Sequence, residues 1–345
     1  AKALLARAHH AFAAAGDTRH AMLAAAASID CHYHEWADFA PLDRWIGVLE
    51  RGLEGPNVLQ SPAEELRVRA SLLLALLFRQ PTHPDLMAHA RAVATLLASR
   101  EIAGAPVNVR LSAASVLFNF YNWATKGESA DALIALALPW LDDPQATPLS
   151  RVWFLVHLAF HEQITRQYGR ARKRMAEAEA IAREHGLSSV LFEIYHADVS
   201  AASAARDVAG TKAALERLRT VLNPARRMDA AYFKHQEAAL LLLSGRPQEA
   251  AAASGEAVEI GREAGLPAMQ LPHLMVLGAH ALLAAGRHED AINRYEEAIA
   301  LAAPVDKRSF AWHRDLARAQ FAIARGNEPG AIAILANLFA ACREA

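Results

Sequence analysis

The stretch Met275-Val276-Leu277-Gly278-Ala279-His280-Ala281-Leu282-Leu283-Ala284-Ala285-Gly286-Arg287-His288-Glu289-Asp290-Ala291-Ile292-Asn293-Arg294-Tyr295-Glu296-Glu297-Ala298 decides the fold. Apolar residues recur at helical spacing on both sides of Gly286, and the glycine closes one periodic segment just before the next begins. The unit is therefore helix–turn–helix. Gly278, Ala279, Ala291 and Ala298 are expected where the paired helices cross, with Leu282 and Tyr295 filling the space between pairs. The preceding copy places Ala238, Gly245, Ala250 and Ala257 in the same roles, and the following copy Ala319, Gly326, Ala331 and Leu338.

Working outward, six turn signals recur. They are Lys126-Gly127-Glu128, Tyr168-Gly169-Arg170, Asp207-Val208-Ala209-Gly210, Ser244-Gly245-Arg246, Ala285-Gly286-Arg287 and Arg325-Gly326-Asn327. With Ala209 taken for the third, they are 42, 40, 36, 41 and 40 residues apart. A fixed period of roughly 20–50 residues marks stacked repeats. The expectation is an all-α helical-repeat superhelix of about eight helix pairs with a period of about 40. It would run as one α-solenoid over 1–345, irregular over 1–148 and regular over 149–345. Gly186-Leu187 and Gly265-Leu266 read as left-handed C-caps. Pro247, Pro272 and Pro329 fall in first turns of helices, where a missing N–H costs little.

The N-terminal part pairs helices 2–15 and 18–30, then predicts one long helix over 34–53. Trp36, Phe39, Leu42, Trp45, Ile46 and Leu49 lie on its apolar spacing. Trp36 and Trp45 are nine apart and point different ways on an ideal helix. One is expected to pack inward and the other to meet a neighbouring module.

Hydrophobic residues make up 53% of the chain, much of it alanine, the strongest helix former. Lys plus Arg number 36 against 37 for Asp plus Glu, a balance that argues against direct nucleic-acid contact. The densest basic run, Arg170–Arg174, reads as a solvated outer face. Only two cysteines are present, Cys31 and Cys342, so no disulfide framework is expected and a cytoplasmic location fits. No apolar run reaches the ~18 residues of a membrane span. The start, AKALLARAHHAF, reads as a helix entered partway, so a fragment of a longer multidomain protein is expected.

The Gly-Arg turn of Gly286-Arg287 with Ala291, Tyr295 and Ala298 after it, and Met275, Gly278, Ala279 and Leu282 before it, resembles the tetratricopeptide repeat. The period is longer than that family's usual 34 residues. It is similar to the longer-helix variety in the effector-sensing arm of MalT-like signal-transducing ATPase regulators. The segment Glu35-Trp36-Ala37-Asp38-Phe39-Ala40-Pro41-Leu42-Asp43-Arg44-Trp45-Ile46 looks like one found in such arms. The resemblance implies a non-catalytic, cytoplasmic sensor arm of a bacterial transcription regulator, with a small effector or a protein partner in the concave groove. The alternative is a scaffold holding a peptide or helix of another protein.

Motif searching points the same way. The sequence holds no G-x-x-x-x-G-K-[ST], G-x-S-x-G or H-E-x-x-H segment, so no catalytic residue and no cofactor is assigned. His157 with His161, and the cluster Cys31, His32, His34 and Glu35, lack the ligand number or spacing of common metal sites, so no metal is assigned.

Candidate binding residues come from laying the repeats over one another. Thirteen residues before each turn marker stand His196, Tyr232, His273 and His313. His235 and His280 fall in the rows three and seven residues further on. Imidazole and phenol groups donate and accept hydrogen bonds and stack on rings, so this lane is the expected concave binding surface. Phe118, Phe120, Trp153, Phe154, Phe192 and Tyr195 are read as core. Tyr121, flanked by Asn119 and Asn122 in mid-helix, is read as a further binding residue, because Asn there is otherwise mildly costly. No membrane contact is expected, and self-association stays open.

Overall fold

The computed structural model describes residues 1–124, 127–266, 270–302 and 304–343, with side chains for all of these except 124, 127–129, 304–309, 342 and 343. Lys126 and the Cys342 side chain lie outside the described residues. Among the described residues there are seventeen α-helices, two short 3-10 helices and no strand. The chain forms two compact units, Ala1–Ala197 and Asp198–Ala345.

The first unit contains α1 (Lys2–Ala14), α2 (Thr18–Glu35), α3 (Leu42–Glu54), α4 (Pro62–Arg79), α5 (Leu86–Ala98), α6 (Val107–Ala124), α7 (Gly127–Ala137), α8 (Pro148–Ile164) and α9 (Tyr168–Glu184). Helix α10 (Ser188–Ala204) runs across the division between the units. Helices α2, α4, α6 and α8 pack against one another in succession, and α1, α3, α5, α7 and α9 flank them. Helix α4 shows why that row is interior. Leu72 through Phe78 are all buried, and a helix apolar around its whole circumference needs neighbours on every side. Its start is fixed by Ser61, whose side chain accepts from the Glu64 N–H, with Pro62 in the first turn. Thr147 and Pro148 repeat the device at α8.

The long helix expected over 34–53 is broken. Helix α2 ends at Glu35, Trp36 is left-handed with φ 52°, and α3 begins only at Leu42. Pro41 disfavours a helical Ala40, and Asp38 accepts from the Ala40 N–H to hold the turn. The break also frees both tryptophans from one helical axis. Trp36 and Trp45 are both buried, at 5% and 4% exposure, so neither is left to meet a neighbouring module.

The second unit continues with α11 (Val208–Arg219), α12 (Arg227–Leu243), α13 (Pro247–Glu263), α14 (Leu271–Ala284), α15 (His288–Leu301), α16 (Pro304–Ala324) and α17 (Glu328–Arg343). Each packs on the next, and α12 also meets α14. Ala238, Ala250, Ala257, Ala279, Ala291, Ala298, Ala319 and Ala331 are all buried, as the small-residue pattern predicts. Gly278 is needed for a different contact than expected. A Cβ there would stand 2.8 Å from Ser254 Oγ, so its close approach is to α13 of the preceding pair rather than to α15. Tyr295 fills the interior, whereas Leu282 is half-buried and borders a surface groove with Arg287.

The turns correct the register. The left-handed residues closing α8, α10, α12, α14 and α16 are Arg166, Arg206, Gly245, Gly286 and Gly326. They stand 40, 39, 41 and 40 residues apart, more evenly than the glycines alone suggest. After each, the next N–H reaches five residues back: Gln167 to Glu162, Asp207 to Ala202, Arg246 to Leu241, Arg287 to Leu282 and Asn327 to Ala322. That bond is the signature of a left-handed helix C-cap. Gly169 and Ala209, taken as turn markers in the sequence, lie inside α9 and α11. Gly186 and Gly265 are left-handed as expected.

Candidate functional site

Aligned on the left-handed residues, the position thirteen back is held by Trp153, Glu193, Tyr232, His273 and His313. His196 leaves that row. It stands ten back and matches His235 of the next repeat. The expected lane is therefore two short rows rather than one long one.

In the first unit, His196 is half-buried and stacks on Phe192 at 6.4 Å, and burial pushes its pKa down to about 4. Tyr121 is half-buried beside Phe120. The two asparagines that drew attention to it serve packing. Asn119 Oδ1 accepts from the Trp123 indole, and Asn122 donates to the His157 carbonyl while accepting from His161 Nδ1. They tie α6 to α8 and themselves. His157 also meets the Tyr33 hydroxyl at 3.1 Å, and burial takes its pKa down to about 3. Both histidines of that i,i+4 pair are thus engaged by side chains of α2 and α6. The aromatics expected in the core, Phe118, Phe120, Trp153, Phe154, Phe192 and Tyr195, are buried. Arg170–Arg174 lies along α9 with Arg170, Arg172 and Lys173 exposed, as read.

In the second unit, Tyr232 and His235 are half-buried on α12. His273 on α14 is exposed and meets Phe310 of α16 edge-on at 5.0 Å. His280, two turns along α14, meets His313 of α16 edge-on at 5.0 Å, and both border the buried Tyr295 ring. Burial, with repulsion from His313, takes His280 down to about 4, and burial lowers His313 as well. At neutral pH these rings are uncharged, so each offers one donor and one acceptor. Helix α14 carries no Lys, Arg, Asp or Glu, while α13 and α15 are charged and joined by the Arg262–Glu297 pair. The sequence found His273, His280 and His313 but missed Tyr295 and Phe310 as their companions. Both rings lie on neighbouring helices, beyond the reach of a one-helix comparison.

These features define an all-α protein of packed helix pairs with a neutral imidazole cluster between α14 and α16. No protein-family model matches the chain, and no curated protein matches it. No helix among the described residues is long and apolar enough to cross a membrane.

Proposed function

We propose that this chain is a non-catalytic helical-repeat sensor arm that binds a small uncharged or ring-bearing effector. Its parent would be a bacterial signal-transducing regulator of the MalT-like kind. The observation that supports this reading is the neutral, imidazole-bearing surface of α14 and α16, formed by His273, His280 and His313 with Phe310 and Tyr295. Neutral rings that stack and hydrogen-bond suit such an effector better than a charged one. Tyr232 and His235 extend the same chemistry on α12, and His196 and Tyr121 are its counterparts in the first unit. Binding shifts the parent between states only through a difference in affinity for them. The even repeat spacing favours this reading as much as the alternative, a scaffold for a peptide or helix, but the clustered rings favour a focal ligand.

The test is native mass spectrometry after incubation with a fractionated extract of the source cells. A retained small-molecule mass, lost on denaturation and lost in the double variant Tyr232→Ala with His273→Ala, is the expected result. A retained mass that survives the double variant at unchanged melting temperature overturns this placement. A captured polypeptide in place of a small molecule shifts the reading to the scaffold.

A further inference from the structure

A cavity of about 290 Å³ opens between α1, α2 and the start of α3 in the first unit, apart from the imidazole rows. His32 and Trp45 form its inner wall, and Lys2 and Arg44 stand on its rim. No carboxylate is among its lining residues. Three features there ask for a ligand of one kind.

Arg44 lies flat over the Trp45 ring at 4.6 Å, and its Nη2 donates to His10 Nε2 at 2.8 Å. These contacts hold the guanidinium in place without neutralising it, because neither partner is an anion. An arginine fixed in this way is a preorganised fork for two oxygens of one anion. Lys2 adds a second cation at the rim, shared with Glu35. His32 is only 7% exposed, and its Nδ1 is buried without a hydrogen-bond partner. A buried polar atom left in that state costs free energy that a ligand can recover.

We infer that this cavity binds a small organic anion, a carboxylate or phosphate ester with a compact apolar body. Arg44 takes the anionic oxygens, Lys2 supplies the longer-range attraction, and His32 Nδ1 hydrogen-bonds the same head group. The body lies against Trp45 and the small residues of α1. Nothing in this site depends on the imidazole rows, so it stands or falls independently of the effector proposed for them.

Isothermal titration of the whole chain at low ionic strength, with benzoate and with inorganic phosphate as probes, tests it. At least one probe is expected to bind at 1:1 and to weaken as salt is added. Arg44→Gln should weaken that probe about tenfold or more, the loss of a charge-assisted contact. Arg44→Lys should keep part of the affinity, because the charge remains while the planar fork is lost. Arg67→Gln, at a different cavity over α2, α4 and α6, should change nothing. Failure of both probes to bind overturns the inference. So does unchanged affinity in Arg44→Gln or in Arg44→Lys with a parental melting temperature.

Discussion

The two units build their interiors from opposite ends of the side-chain size range. In Ala1–Ala197 the fully buried positions include Phe39, Phe78, Phe118, Phe154 and Phe192. In Asp198–Ala345 they are chiefly alanines, among them Ala231, Ala238, Ala250, Ala257, Ala279, Ala291 and Ala298, with Tyr295 the largest fully buried side chain. Where alanine meets alanine, backbone contact sets the helix separation, and one repeat comes out like the next. Where phenylalanine and tryptophan interdigitate, each helix is spaced by its own side chains, and lengths and linkers vary. The regular sequence pattern of 149–345 and the irregular one of 1–148 follow from that difference.

The largest expected effect sharpens it. Phe154→Ala empties a fully buried site in the first unit and should cost about 3–5 kcal/mol. Urea unfolding followed by tryptophan fluorescence reads it out, since five of the six tryptophans lie at 36, 45, 123, 140 and 153. A loss under ~1 kcal/mol would mean that the aromatic interior relaxes freely and that the contrast is false.

Acid is the next lever, through histidines held neutral by burial. His34 titrates at about 4 and His157 at about 3 when folded, against 6.5 when unfolded. Their folded pKa values are depressed, so below 6.5 the unfolded chain takes up protons that the folded chain refuses. Stability is full above pH 6.5 and falls as the pH drops toward 4, by about 1.4 kcal/mol for each at pH 5.5. Urea midpoints at pH 7.5 and 5.5 should show this fall, and His157→Leu should flatten the slope. A slope identical to the parent's would place the proton uptake elsewhere.

Overpacking probes the second unit. Ala279→Leu forces side-chain volume into an alanine crossing and should cost about 1–3 kcal/mol. Circular dichroism melts of this variant beside Leu282→Ala, a half-buried position, make the comparison internal. If Ala279→Leu melts like the parent, the crossing is not set by small residues.

The smallest expected effect concerns the turns. Arg166 is left-handed at φ 61°, a conformation that glycine adopts without penalty. Arg166→Gly should therefore gain about 1 kcal/mol, and Gly286→Ala should lose a similar amount at its φ of 76°. Thermal unfolding of the two variants, moving in opposite directions, checks the shared turn. Movement in the same direction would break the equivalence of the two repeats.

Most of the helices, the buried aromatics and the alanine crossings were legible in the chain, because each is written in local spacing. Gly245, Gly286 and Gly326 announced their turns, since glycine is the residue that a left-handed cap favours. Arg166 and Arg206 perform the same role with no such mark, and so His196 was aligned with Tyr232 rather than with His235. Asn119 and Asn122 drew attention to Tyr121 by being out of place on a helix. Only the packed α6–α8 interface shows what Asn122 holds, and only the α6 turn itself shows what Asn119 holds.

By itself the sequence determined an all-helical chain, a repeat near 40 residues and a division between irregular and regular parts. These depend on periodicity and on backbone preferences that act within a few residues. Tertiary structure alone decided the break at Trp36, the meeting of Tyr33 with His157 across 124 residues, and the rings beside His280 and His313. It also decided the cavity beneath Arg44. Those depend on which distant surfaces are brought within a few ångströms, and local pattern carries no information about that distance.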